Sequence, residues 1–172
     1  MIKIAITGGI GSGKSYIAKQ MTQLLGIPVY DSDANAKRLN EESVIIRQGL
    51  VDMLGKDVYD AQGHLDKAML ASFLFASEEN ARKVNALIHP VVKADFLRWA
   101  EEQHAPVVAI ETALLVESGL DKLVDKVLRV DAPLETRIHR AMQRDGVCRE
   151  KIEERIAMQK EYPCPDIIIN NV

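Results

Sequence analysis

Cysteine is scarce. Only Cys148 and Cys164 occur in 172 residues, in no metal-binding or redox spacing, and they read as reduced, incidental thiols. There is no basic run, and the net charge is −3, so nucleic-acid binding is not expected as the main role. No stretch is long and apolar enough to span a membrane. The first residues lack the charged region, apolar core and cleavage site of a signal peptide, which favours the cytoplasm. Internal repeats and low-complexity segments are also missing. What is there, 47% hydrophobic and 27% charged residues, suits one compact domain with an inserted subdomain.

The chain is organised around Gly8-Gly9-Ile10-Gly11-Ser12-Gly13-Lys14-Ser15, which fits the phosphate-cradling pattern G-x-x-x-x-G-K-[ST]. The context fits too. Ile2 to Ile6 is a short β-branched strand, and Tyr16 to Leu25 places apolar residues at helical spacing before Gly26. Strand, glycine loop and helix are what the chemistry needs. Glycines let backbone N–H groups turn inward around phosphate oxygens, and the helix N-terminus adds partial positive charge. Gly9, Gly11, Ser12 and Gly13 would form the cradle. Lys14 would reach the β- and γ-phosphates, and Ser15 would hold Mg²⁺. A dinucleotide-binding loop would instead want G-x-G-x-x-G, a pattern with no use for Lys14 and Ser15.

Ile27 to Tyr30 reads as a second strand, ending in Asp31-Ser32-Asp33. Ligands sit at the carboxyl ends of strands in an open parallel sheet, so one of these aspartates is a candidate catalytic group, Asp33 preferred. The alternative for Asp33 is capping of the helix that follows. From Glu41 to His104 the pattern is mainly helical, a block inserted between the second and third strands where an acceptor would sit. It holds helices over Val44–Leu54, closed by Gly55, and over Lys67–Phe75. A turn lies at Asp60–Gly63, and a long helix is capped by Ser77. Pro90 should break or kink that long helix near Ile88-His89. The histidines, His89 included, read from spacing alone as structural. Trp99 and the phenylalanines read as core.

Pro106 to Ile110 is a third strand. It ends in Glu111, which could hold the Mg²⁺ shell through water. The loop from Thr112 to Leu120, with Leu114 and Glu117, either lines a partly apolar substrate or packs on the core. Lys126 to Val130 is the fourth strand, Pro133 opens a helix, and Asp166 to Ile169 is the last strand. Arg137, Arg140 and Arg144 recur on one helix face. Three like charges there repel unless an anion is near, which suggests a lid that brings arginines to a triphosphate. The fold expected is α/β: a three-layer P-loop NTPase fold with a parallel five-stranded sheet, a helical insertion and a helical lid.

In order along the chain, the marks so far are joined by Gly63-His64-Leu65-Asp66, Asn85 to Pro90, Leu114-Leu115-Val116-Glu117, Gln143-Arg144-Asp145 and Ile168-Ile169-Asn170-Asn171. With them the chain resembles the dephospho-CoA kinase family over nearly its whole length. The loop is generic; the His-Pro and Leu-Leu-x-Glu marks are far more specific. The resemblance implies transfer from ATP, with Mg²⁺, to the ribose 3′-hydroxyl of dephospho-CoA, the last step of coenzyme A synthesis. It makes Asp33 the base and Arg140 an ATP-contacting lid residue, and it moves His89 into the acceptor region beside Leu114 and Glu117. Tyr16, Arg144 and Asn171 join the ATP site. The core would comprise residues 1–33, 106–132 and 166–172, the acceptor subdomain about 34–105 and the lid about 133–160. Departures are Ala113, where the family usually has Pro, and Lys37 and Lys67, where Arg is common; Lys lacks the bidentate fork. The alternative is a nucleoside or nucleotide kinase of the same fold. A GTPase switch is disfavoured. Asp52-Met53-Leu54-Gly55 fits D-x-x-G but lies in a helical pattern, and no Asn-Lys-x-Asp follows.

Overall fold

The computed structural model describes residues 1–172, which divide into two compact units. One comprises Met1–Asp31 and Ala100–Val172, the other Ser32–Trp99.

The first unit is built on a sheet of five parallel strands: β1 (Ile2–Gly8), β2 (Val29–Asp31), β3 (Val107–Glu111), β4 (Lys126–Asp131) and β5 (Ile167–Asn170). Their spatial order is β2-β3-β1-β4-β5, so the strand leading into the glycine loop is central. A parallel sheet is covered on both faces, and its central strands therefore read as continuous apolar runs. Ala5 and Ile6 of β1 and Val108, Ala109 and Ile110 of β3 are accordingly buried. Helix α1 (Lys14–Leu25) contributes Ala18 and Met21 to a cluster with Ile6, Ala109, Leu128 and Val130. The register places Asp31 beside Glu111 and Gly8 beside Val130, so the acidic strand ends and the loop open on one edge. This edge, on either side of the central strand, is where open α/β sheets bind ligands.

The second unit is helical: α2 (Ser32–Glu42), α3 (Val44–Leu54), α4 (Lys67–Ala76) and most of α5 (Glu78–Glu102). Its helix starts are capped as their sequences dictate. Ser43, Asp66 and Ser77 accept from the N–H groups of Ile46, Met69 and Asn80. Leu39, Ile46, Leu50, Val58, Val84, Val92 and Phe96 are its buried apolar residues. Asp95, with a side chain only 6% exposed, is held by Arg38 at 2.7 Å and by Arg98 at 2.5 Å. The expected turn at Asp60–Gly63 is present, closed by the Tyr59–Leu65 bridge.

Four expectations need correction. β2 begins at Val29 and α2 follows it without a loop, so Asp33 lies in the first turn of α2 and neither ends a strand nor caps the helix. Of the break or kink expected at Pro90, the break is overturned. Proline removes one backbone donor, and the helix runs on through it with Pro90 exposed and Val84, Val92 and Phe96 buried on the opposite side. Phe75 is not core; it is 84% exposed at the end of α4 and lines an open cleft. Pro133 stands at the N-cap of helix α6 (Leu134–Asp145), one residue before the first turn.

Candidate active site

Between β1 and α1 the chain turns through Gly8–Gly13. Gly11 and Gly13 adopt φ of 75° and 90°, a left-handed backbone that side chains disfavour. A Cβ at Gly11 would also overlap the carbonyl of Arg137, and one at Gly13 would overlap the amide of Asn171. The loop therefore has its neighbours packed directly against its backbone. α1 starts at Lys14 with no side-chain cap and no acidic residue in its first turn. Its first N–H groups lack the usual intrahelical partners, which suits them to an anion. Ser15 donates to Oε1 of Glu111 at 2.5 Å. A hydroxyl and a carboxylate so placed are hard oxygen donors of the kind that suits Mg²⁺. Tyr16, next along α1, is exposed.

On its other side the loop meets α6 and helix α7 (Arg149–Met158). Ile10 packs into a cluster formed by Ile138, Ala141 and Ile152 with Met142, Val147 and Ile156. Arg137 Nε donates to the Ile10 carbonyl at 3.0 Å, and Asn171 Nδ2 donates to the Ser12 carbonyl at 2.9 Å. Arg140 Nη1 donates to the Asn171 carbonyl at 3.1 Å. The three arginines on the α6 face are thus separated by partners the chain itself supplies. Arg137 also has Glu161 at 3.6 Å, and Arg144 is bonded twice to Asp145. That pairing pushes Arg144 up and holds Asp145 below the usual carboxylate range. Repulsion along this face therefore does not by itself require a bound anion.

The loop after β3 is tied to itself. Thr112 accepts from the Leu114 N–H, and Ser118 donates to the Leu114 carbonyl. The reading of the loop as packed on the core holds for Leu115 and Leu120, and Leu114, Val116 and Glu117 are left at the surface. In the helical unit, Asp33 is exposed on the first turn of α2, and His89 is half-buried in the middle of α5. The same unit carries a cleft of about 440 Å³, lined by Lys37, Asn40, Glu41, Leu65, Lys67 and the apolar side of α4. Asp52 and Gly55 lie at the end of α3, where a helical pattern was expected.

Two residues grip the loop in ways the sequence did not show: Arg137, expected only as a lid arginine, and Gln159. Arg137 gave a signal in its helical spacing with Arg140. Gln159 gave none.

A family model described as dephospho-CoA kinase matches residues 2–171. The chain belongs to the dephospho-CoA kinase family. A Porphyromonas gingivalis dephospho-CoA kinase is 47% identical over 160 residues, which cover 93% of this chain and 78% of that protein. Among solved structures, a Thermus thermophilus protein superposes with a TM-score of 0.83 at 33% identity, covering 99% of this chain and 88% of that one. A dephospho-CoA kinase from Campylobacter jejuni shares the fold, with a TM-score of 0.68 at 23% identity over 98% of this chain and 87% of that one. The dephospho-CoA kinase match runs through both units, not through the glycine loop alone.

Arg140 offers a test within this site. Arg140 is half-buried, and its Nη1 donates to a backbone carbonyl. Arg140→Ala is expected to lower kcat about 10²–10³-fold, the usual loss when a preorganised donor is removed. The melting temperature should shift by only a few degrees. A large stability loss with kcat retained would make Arg140 structural.

Proposed function

We propose that the protein transfers the γ-phosphoryl group of ATP to the ribose 3′-hydroxyl of dephospho-CoA, giving coenzyme A in the last step of its synthesis. The observation that carries this reading is the family match across the helical unit as well as the loop; a generic nucleotide-binding loop would not extend that far. Lys14 and the α1 N-terminus hold the phosphates, with Gly9, Gly11, Ser12 and Gly13 as their backbone cradle and Tyr16 beside it. Ser15 and, through water, Glu111 hold Mg²⁺, which when bound neutralises charge on the phosphates. Residues 133–160 act as a lid carrying Arg140 and Arg144, with Asn171 against the loop. Asp33 accepts the hydroxyl proton. His89, Leu114 and Glu117 serve the acceptor, whose apolar part suits the cleft beside α4.

No helix is long and apolar enough to cross a membrane. The place of the reaction on this reading is the cytoplasm, and neither nucleic acid nor membrane takes part.

A coupled assay with ATP and Mg²⁺ tests the reading against dephospho-CoA, adenosine, AMP and shikimate. ADP release with dephospho-CoA, together with a product heavier by one phosphoryl group, is expected. Preferential turnover of adenosine or AMP would assign the protein to nucleoside or nucleotide kinases instead.

A further inference from the structure

Gln159 follows the last residue of α7 and is half-buried. Its side-chain amide meets three backbone groups that lie far away in sequence. Oε1 accepts from the Ile10 N–H at 2.8 Å. Nε2 donates to the Gly8 carbonyl and to the Ala113 carbonyl, each at 3.3 Å. Only an amide side chain of this length offers one acceptor and two donors at such a point.

The positions of those partners give the contact its meaning. Gly8 is where β1 passes into the phosphate loop, and Ile10 is inside the loop. Ala113 stands two residues beyond Glu111, whose carboxylate meets Ser15 at the other end of the same loop. The Ile10 peptide is held on both sides: its N–H by Gln159, its carbonyl by Arg137, its side chain in the α6–α7 cluster. Glycine-rich backbone has many conformations to lose, so a loop of this composition gains most from being held in one of them.

We infer that Gln159 is a positioning residue. It locks the phosphate loop to the segment after β3, so that the loop's N–H groups and the Ser15–Glu111 pair are set before the nucleotide arrives. It touches neither phosphate nor acceptor; it acts through the Ile10 and Gly8 peptides. The inference rests on the reading above for ATP binding at the loop, and not for the acceptor. Its first readout, nucleotide affinity, does not depend on which acceptor is used.

The test uses the whole protein and two variants. Gln159→Leu keeps the bulk and removes all three bonds. Gln159→Glu keeps an acceptor for Ile10 but sets a carboxylate against two carbonyl oxygens. Affinity for MgATP is measured by calorimetry, KM for each substrate by assay, and melting temperature by circular dichroism. Both variants should weaken MgATP affinity about tenfold, which is about 1.4 kcal/mol and the size of a net hydrogen bond. KM for ATP should rise with it. KM for dephospho-CoA should stay within twofold, and the melting temperature within a few degrees. Glu should be at least as damaging as Leu. If MgATP affinity stays within twofold of wild type in both variants, or if only the melting temperature falls, Gln159 is an ordinary helix-end contact. Wild type binding MgATP without turning over dephospho-CoA would sink the acceptor assignment and leave the affinity test of Gln159 in force.

Discussion

Lys14→Ala is expected to stop phosphoryl transfer almost completely in a protein that still folds. Lys14 is the first residue of α1, directly after the left-handed Gly13. On the proposed reading its ammonium offsets charge that builds between the β- and γ-phosphates as the bond breaks. That charge is greatest in the transition state, so the loss should fall on kcat more than on ground-state affinity. Losing one preorganised donor typically costs about 10²–10³-fold. A full positive charge at the reacting phosphates should cost at least that much. Stability should change little, because the residue is only half-buried and no side-chain cap is lost. Turnover with ATP, melting temperature and MgATP affinity on the one variant decide the matter. A folded variant with near-normal turnover would overturn the loop's assignment as the phosphate site.

Much of this site could be read before any coordinates, and the reason is local. The loop, its strand and its helix are contiguous, so spacing and residue type specify them together. Glu111 was legible for a similar reason: an acidic residue closing an apolar strand points at the ligand edge of a sheet. Glu111 does close β3, and it accepts from Ser15. Asp33 was less legible. Asp-Ser-Asp after a short apolar run reads equally as a strand end or a helix cap. The chain chose a third course by starting α2 at Ser32 without a loop. Phe75 misled because apolar spacing shows which residues share a helix face, not whether anything covers that face. Gln159 and Arg137 were missed as loop contacts because their partners are backbone atoms, which carry no residue-specific signal. Ile10 lies 149 residues from Gln159 and 127 from Arg137. Only folding brings those peptides within reach.

Asp33→Asn carries the other large expected effect, and it isolates a single chemical property. A ribose hydroxyl is a weak nucleophile at neutral pH, so a carboxylate that takes its proton as the new bond forms lowers the barrier. Such a base contributes about 10²–10⁴-fold. Asparagine keeps the size and hydrogen-bonding reach of aspartate but cannot accept that proton. If Asp33 is the base, kcat falls by that factor, while affinity for MgATP holds because the loop and α1 grip the phosphates. The fold should survive. Asp33 is exposed in the first turn of α2, where asparagine loses only a favourable interaction with the helix dipole. A purely structural aspartate predicts a different pattern, with a slightly lower melting temperature and kcat within a few-fold of wild type. In that outcome attention moves to Asp31, which closes β2 in register with Glu111. The same measurements on Asp31→Asn then show whether the proton goes to the end of β2 instead of to α2.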